Sequence, residues 1–220
     1  MAIELTADEA RILGVLIEKE MTTPEGYPLT LNAVVNGANQ KSNRWPVMAM
    51  TEDAARAALV SLRGKGLVVQ LDGHGSRTSK FKHDAGPKLG VTKAELVVLA
   101  ELMLRGPQTQ GELRGRASRM YPLDSLETVR NTLTQLMTRA EPLARELPPS
   151  PGSRAERYQQ MMAAEVGVAE GEEAVEEADT EEPGRATNGE RIAALEAEVG
   201  ALKAALRKLA GQIGAEDPLA

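Results

Sequence analysis

The sequence holds 32 Asp and Glu but only two His and no Cys, so the side chains that most often ligate zinc are few. His74 and His83 stand nine residues apart across a predicted turn, with no carboxylate at ligand spacing beside them and no cysteine anywhere. A metal site there would lack donors, so solvated histidines are the plainer expectation. No Gly-rich phosphate loop follows a strand, and no set of nucleophile, base and orienting group can be assembled. The sequence therefore predicts no catalytic residue, no cofactor and no metal.

What remains is the chemistry of recognition, carried by Lys, Arg and polar side chains. Lys41, Arg44, Arg77, Lys80 and Lys82 in the first half, and Arg114, Arg116, Arg119, Arg154 and Arg157 in the second, are candidate phosphate contacts. Arg56, Ser61 and Arg63, then Thr128, Arg130, Asn131 and Gln135, are candidate base readers, since these types reach donors and acceptors on base edges. Opposing them are Glu52, Asp53, Asp124 and Glu127, acidic residues at the amino ends of the helices that carry the base readers.

Those helices follow from local signals. Thr51 caps a helix running from Glu52 to glycines at 64 and 66, with Ala55, Ala58, Leu59 and Leu62 on one face. A strand over 67–72, a turn over 73–76 and a returning strand over 77–83 complete a basic hairpin. Upstream, Thr6 and Glu9 form a capping-box pattern for a first helix whose buried face is Ile12, Leu13, Leu16 and Ile17. A short second helix over 30–39 and a polar connection over 40–46 lead to the third. Three helices and a hairpin in this order predict a winged helix-turn-helix.

The same order returns. At an offset of 86, Thr92, Glu95, Leu99 and Leu102 repeat Thr6, Glu9, Leu13 and Leu16, and at an offset of 74, Arg130, Leu133 and Leu136 repeat Arg56, Leu59 and Leu62. Residues 109–117 supply the short helix, and 143–147 with 154–162 the second wing. The reading is an internal duplication: winged-helix domains over 1–88 and 89–163, mainly α with small β wings. Trp45 either stacks on a base or partner or caps the core between the second and third helices, and Met48, Met50, Met161 and Met162 read as core filler.

Charge is uneven along the 220 residues. The net value of −6 hides +1 over residues 1–90 and +2 over 91–164, against −8 over 165–189. Binding depends on local potential, so the acidic total does not exclude a nucleic-acid partner. The stretch 164–189, rich in Ala, Gly and Glu, is expected to be a flexible acidic linker. From 190 to 214, Ile192, Val199, Leu206 and Ile213 at a positions and Leu195, Leu202 and Leu209 at d positions predict a coiled-coil helix. It would either form a parallel dimer or fold back over its own chain, and residues 215–220 would be a tail. No apolar run approaches a membrane span and the start lacks a signal pattern, so a cytoplasmic protein without membrane contact is expected.

The block Glu18-Lys-Glu-Met-Thr-Thr-Pro-Glu-Gly-Tyr-Pro-Leu-Thr-Leu-Asn-Ala33, with Asn39-Gln-Lys-Ser-Asn-Arg44, Pro46-Val-Met48, Gly75-Ser-Arg77, Pro151-Gly152 and Arg157-Tyr158, resembles the bacterial YceH-type family over roughly residues 3 to 162. The resemblance implies a tandem winged-helix architecture and a bacterial cytosolic setting, without an activity. Trp45, Ala38 and Ala155 depart from the pattern. Two functions are expected to compete: duplex-DNA binding by a non-enzymatic, homodimeric regulator, or protein docking by a scaffold that touches no nucleic acid.

Overall fold

The computed structural model describes residues 3–72, 78–150 and 152–163. Arg77, His74, the acidic segment and all seven heptad positions from Ile192 to Ile213 lie outside them. Among the described residues the chain is mixed α with two small antiparallel sheets. Its helices are α1 (Ala7–Thr22), α2 (Leu31–Ala38), α3 (Glu52–Gly64), α4 (Ala85–Leu89), α5 (Lys93–Arg105), α6 (Gln110–Ala117) and α7 (Leu126–Met137).

The helix starts are written in local sequence. Thr6 accepts from the Glu9 amide while Glu9 accepts from the Thr6 amide, and Thr92 with Glu95 repeats this reciprocal pair. Thr30, Thr51, Thr109 and Ser125 each cap their own helix through the side-chain oxygen.

One sheet has the order β1 (Leu29–Thr30), β3 (Lys80–His83), β2 (Val68–Leu71); the other has β4 (Gln108–Thr109), β6 (Arg157–Gln160), β5 (Ala144–Leu147). The two hairpins lie within the ranges expected from the sequence, 67–72 with 77–83 and 143–147 with 154–162. β1 and β4 are two residues each, too short for periodicity to reveal, and exist only because β3 and β6 offer them an edge.

α1 and α5 form the centre. Ten consecutive residues of each are buried, Glu9–Glu18 and Glu95–Leu104. A helix with one apolar stripe would expose the opposite side, but these two pack against each other as well as against their own helices, so burial runs all round. They cross closely at Gly14, where a Cβ would stand 3.0 Å from Leu104 Cγ and 3.3 Å from the Ala100 carbonyl oxygen. Gly14 and Ala100 are equivalent at the offset of 86, so the duplicated helices meet at matching positions.

The ion pairs repeat as well. Lys65 Nζ lies 2.6 Å from Glu9 Oε2 and donates to the Glu4 carbonyl, while Arg139 lies 3.7 Å from Glu95 Oε1 and donates to the carbonyls of Leu89 and Gly90. Of the methionines, Met50 and Met162 are buried and Met48 packs partly against the core, but Met161 is 49% exposed and is not core filler.

Candidate nucleic-acid interface

Each candidate cation can be sorted by what already holds it. Arg44 is withdrawn as a phosphate contact. It lies in a loop whose ends are joined by Asn39, which bonds both the amide and the carbonyl of Met50. Its side chain is fully buried, with Nη2 2.5 Å from Glu18 Oε2, Nη1 3.2 Å from Glu18 Oε1 and Nε donating to the Gly37 carbonyl. Arg119 is half drawn in, with Nη2 2.7 Å from Glu18 Oε1 and 3.2 Å from Glu101 Oε2. Burial disfavours both charges, yet the Glu18 carboxyl is held below the ordinary range by Arg44 and then Arg119, and the Arg119 guanidinium is pushed up by Glu18. Two of the ten expected phosphate contacts are thus parts of one buried network.

Arg11, to which the sequence assigned no role, is buried beside them. It gives Nη1 to the Ala38 carbonyl and Nη2 to the Pro46 carbonyl at 3.0 and 2.7 Å, and desolvation followed by the nearby Arg44 charge pulls its pKa down to about 10. Arg44 therefore ties the polar connection over 40–46 to the core, while Lys41, Ser42 and Asn43 stay exposed. Trp45 belongs to the same seam. It does not cap the core between α2 and α3: its amide donates to the Leu104 carbonyl at 2.8 Å, and its ring covers Gly106, where a Cβ would stand 2.9 Å from Cε3.

On α3 the candidate readers divide. Arg56 is exposed and makes no hydrogen bond or ion pair among the described residues. Ser61 turns toward Glu9, whose carboxyl is kept below its usual range: burial pushes it up, but Lys65 and Ser61 outweigh that. Arg63 donates to Gln70 Oε1 at 2.5 Å. Lys80 and Lys82, two residues apart on β3, stand together on the outer face of their sheet, and Lys41 is exposed elsewhere on the surface.

α7 presents a different face. Arg130, Asn131 and Gln135 are exposed and unbonded among the described residues, with Thr134 between them; Thr128 is engaged with the Ser125 cap at 3.0 Å. Val129, Thr132, Leu133 and Leu136 face the core, so the helix keeps its polar stripe outward by its own periodicity. Arg114 and Arg154 are exposed; Arg116 is bound to Gln108 and Glu112; Arg157 is half buried in β6 with Nε unbonded. Of the carboxylates at the helix starts, Glu52, Asp53, Asp124 and Glu127 all remain exposed.

His83 is not a solvated histidine. Its side chain is 6% exposed, Nε2 lies 2.7 Å from Glu20 Oε2, and Nδ1 accepts from the Ala85 amide at 3.4 Å. A neutral ring protonated at Nε2 satisfies both partners. Burial lowers its pKa, Glu20 opposing. Among the described residues no three His, Asp or Glu side chains converge as metal ligands, and no helix is long and apolar enough to cross a membrane.

Comparison with known proteins gives the family. The family described as "Protein of unknown function, DUF480" matches residues 5–153. A UPF0502 protein of Koribacter versatilis (strain Ellin345) is 49% identical over 158 residues, 72% of this chain and 73% of that one. One from Pelobacter propionicus is 47% identical over 205 residues, 92% of each chain, and one from Geobacter sulfurreducens 45% identical over 202 residues, 92% and 91%. Glu18, Asn39 and Arg44 and the whole of both sheets' first strands fall inside the matched span, and this chain belongs to the DUF480/UPF0502 family of bacterial proteins.

Proposed function

We propose that this protein is a non-enzymatic, cytoplasmic DNA-binding factor built from tandem winged helices, in which α7 is the main reading helix and the hairpins act as wings. The observation that carries this reading is the unbonded polar stripe of Arg130, Asn131 and Gln135 on α7. Free long polar side chains on an outward helix are what major-groove readout needs. Arg114 and Arg154 would add phosphate contacts in the second copy, and Arg56, Lys80 and Lys82 in the first. The heptad positions Ile192, Leu195, Val199, Leu202, Leu206, Leu209 and Ile213 would join two copies, which suits a site with two-fold symmetry.

The test is titration of pooled duplexes at several salt concentrations. Affinity should fall with a log-log slope of about −0.9 for each phosphate neutralised. Arg130→Ala with Asn131→Ala should weaken binding more than Arg56→Ala. Binding that is absent at low salt rejects the proposal and leaves protein docking ahead. That second reading is favoured by one observation: Val60 on α3 with Val69 and Leu71 on β2, 60%, 36% and 41% exposed, put apolar side chains on the surface of the first copy.

A further inference from the structure

The edge of the first sheet differs from its duplicate in a way that DNA binding does not use. β2 is an outer strand, and the direction of its free backbone groups can be worked out. The Asp84 amide donates to the Leu67 carbonyl at 2.8 Å, so 67 and 84 form a hydrogen-bonded pair. The register continues with Val68 opposite His83, Val69 opposite Lys82, Gln70 opposite Phe81 and Leu71 opposite Lys80. Alternation then makes Val69 and Leu71 the bonded residues and turns the amide and carbonyl groups of Val68 and Gln70 to the open side. In agreement, the His83 amide is free to donate to the Tyr27 hydroxyl at 2.7 Å.

Beside that edge runs a groove between α3 and β2 lined by Val60, Arg63, Gly64, Val68, Val69 and Gln70. Val69 and Leu71 share the solvent face of the strand. Exposed apolar residues on an open edge invite pairing, and sheets normally block it with charge. The second copy does so: β5 carries Arg145 and Glu146 where β2 has Val69 and Gln70, and α7 has Thr134 where α3 has Val60.

We propose that β2 pairs antiparallel with β2 of a second copy of this chain, about a two-fold axis at Gln70. Gln70 would exchange both backbone bonds with its symmetry mate, and Val68 would do so with the partner's Asp72. Val69 would then face the partner's Leu71 as a non-bonded pair, where side chains approach most closely. Asp72 of one copy arrives on the face where Arg63 of the other reaches Gln70, so the charges match as well. In the duplicate the same axis would set Glu146 against itself, which like charge opposes. This interface is independent of the α7 reading and of the heptad tail.

A four-residue strand pair buries less than the roughly 800 Å² per partner of a stable interface, so the contact is weak alone and covalent trapping reads it better than mass does. The chain has no cysteine, which leaves engineered ones without competitors. In the full chain, Gln70→Cys places two thiols on the axis, at the Cα spacing of about 5.5 Å that a disulfide accepts. Mild oxidation should give covalent dimer at least about tenfold faster than with Glu146→Cys, and adding Val69→Arg to Gln70→Cys should remove that advantage, a change of about 1.4 kcal/mol, with the circular dichroism unaltered. Equal rates for the two cysteine variants, or a rate that Val69→Arg leaves unchanged, overturns the proposal. In either of those cases the edge is left to an extended segment of a different protein.

Discussion

Arg119 Nη2 stands 2.7 Å from Glu18 Oε1, a bond that joins the two copies across 101 residues of sequence. Glu18 already holds Arg44 through both oxygens, and Arg119 reaches on to Glu101, so four charges alternate along the seam between α1 and α5. Removing one member of a buried network strands its partners without water. That makes the seam, rather than the outer faces, the place where single substitutions are most damaging.

Glu18→Gln should destabilise the fold by about 3–5 kcal/mol in denaturant titration, because Arg44 is left buried and uncompensated. The folded-state carboxyl is depressed, so its contribution is present above the unfolded value of about 4.3 and is lost as pH falls through the folded one. The acid limb of the stability profile should therefore be shallower in the variant. A loss below about 1 kcal/mol would mean that the network is no more than a surface ion pair.

His83 titrates in a higher window. Its folded pKa is lowered by burial, against the opposing pull of Glu20. The neutral ring favours the fold above the unfolded value of about 6.5, and that stabilisation is lost as pH drops through the folded pKa. The melting-temperature difference between wild type and His83→Gln should thus be larger at about pH 8 than at about pH 5. A difference independent of pH would place the ring in solvent.

Gly37 is a packing constraint. A Cβ there would lie 2.6 Å from Val15 Cγ1, inside a fully buried valine on the central helix. Gly37→Ala should cost about 1–3 kcal/mol through overpacking, despite the better helix propensity of alanine. Combining it with Val15→Ala should recover part of the loss, since the second change removes the obstructing methyl. Strict additivity of the two losses would show that the contact is not the cause.

Lys80→Gln and Lys82→Gln should each flatten the salt dependence of duplex binding by about 0.9 in the log-log slope, as expected for lost phosphate contacts. Arg119→Gln should lower the melting temperature while leaving the slope of the folded protein unchanged. Deleting residues 190–220 should weaken self-association in sedimentation by at least about tenfold, and an unaltered profile would reject the coiled-coil assignment.

Local sequence determined the elements. Thr6 with Glu9 and Thr92 with Glu95 are contacts three residues long, so composition and spacing are enough to place the helix starts. The same holds for the core stripe of α7, the placement of the hairpins and the duplication that the offsets reveal. Where each cation ends up was decided by tertiary structure. Arg44, Arg119 and Arg56 look alike in the sequence, but Glu18 lies 26 residues from the first and 101 from the second, while the third has no hydrogen bond or ion pair among the described residues. The core-cap alternative for Trp45 and the solvated reading of His83 fail for the same reason, since the groups that meet them, Gly106 and Glu20, arrive from distant segments. A short-range pattern fixes backbone geometry because its hydrogen bonds close within one turn. The burial of a charge depends on which carboxylate the completed core brings beside it.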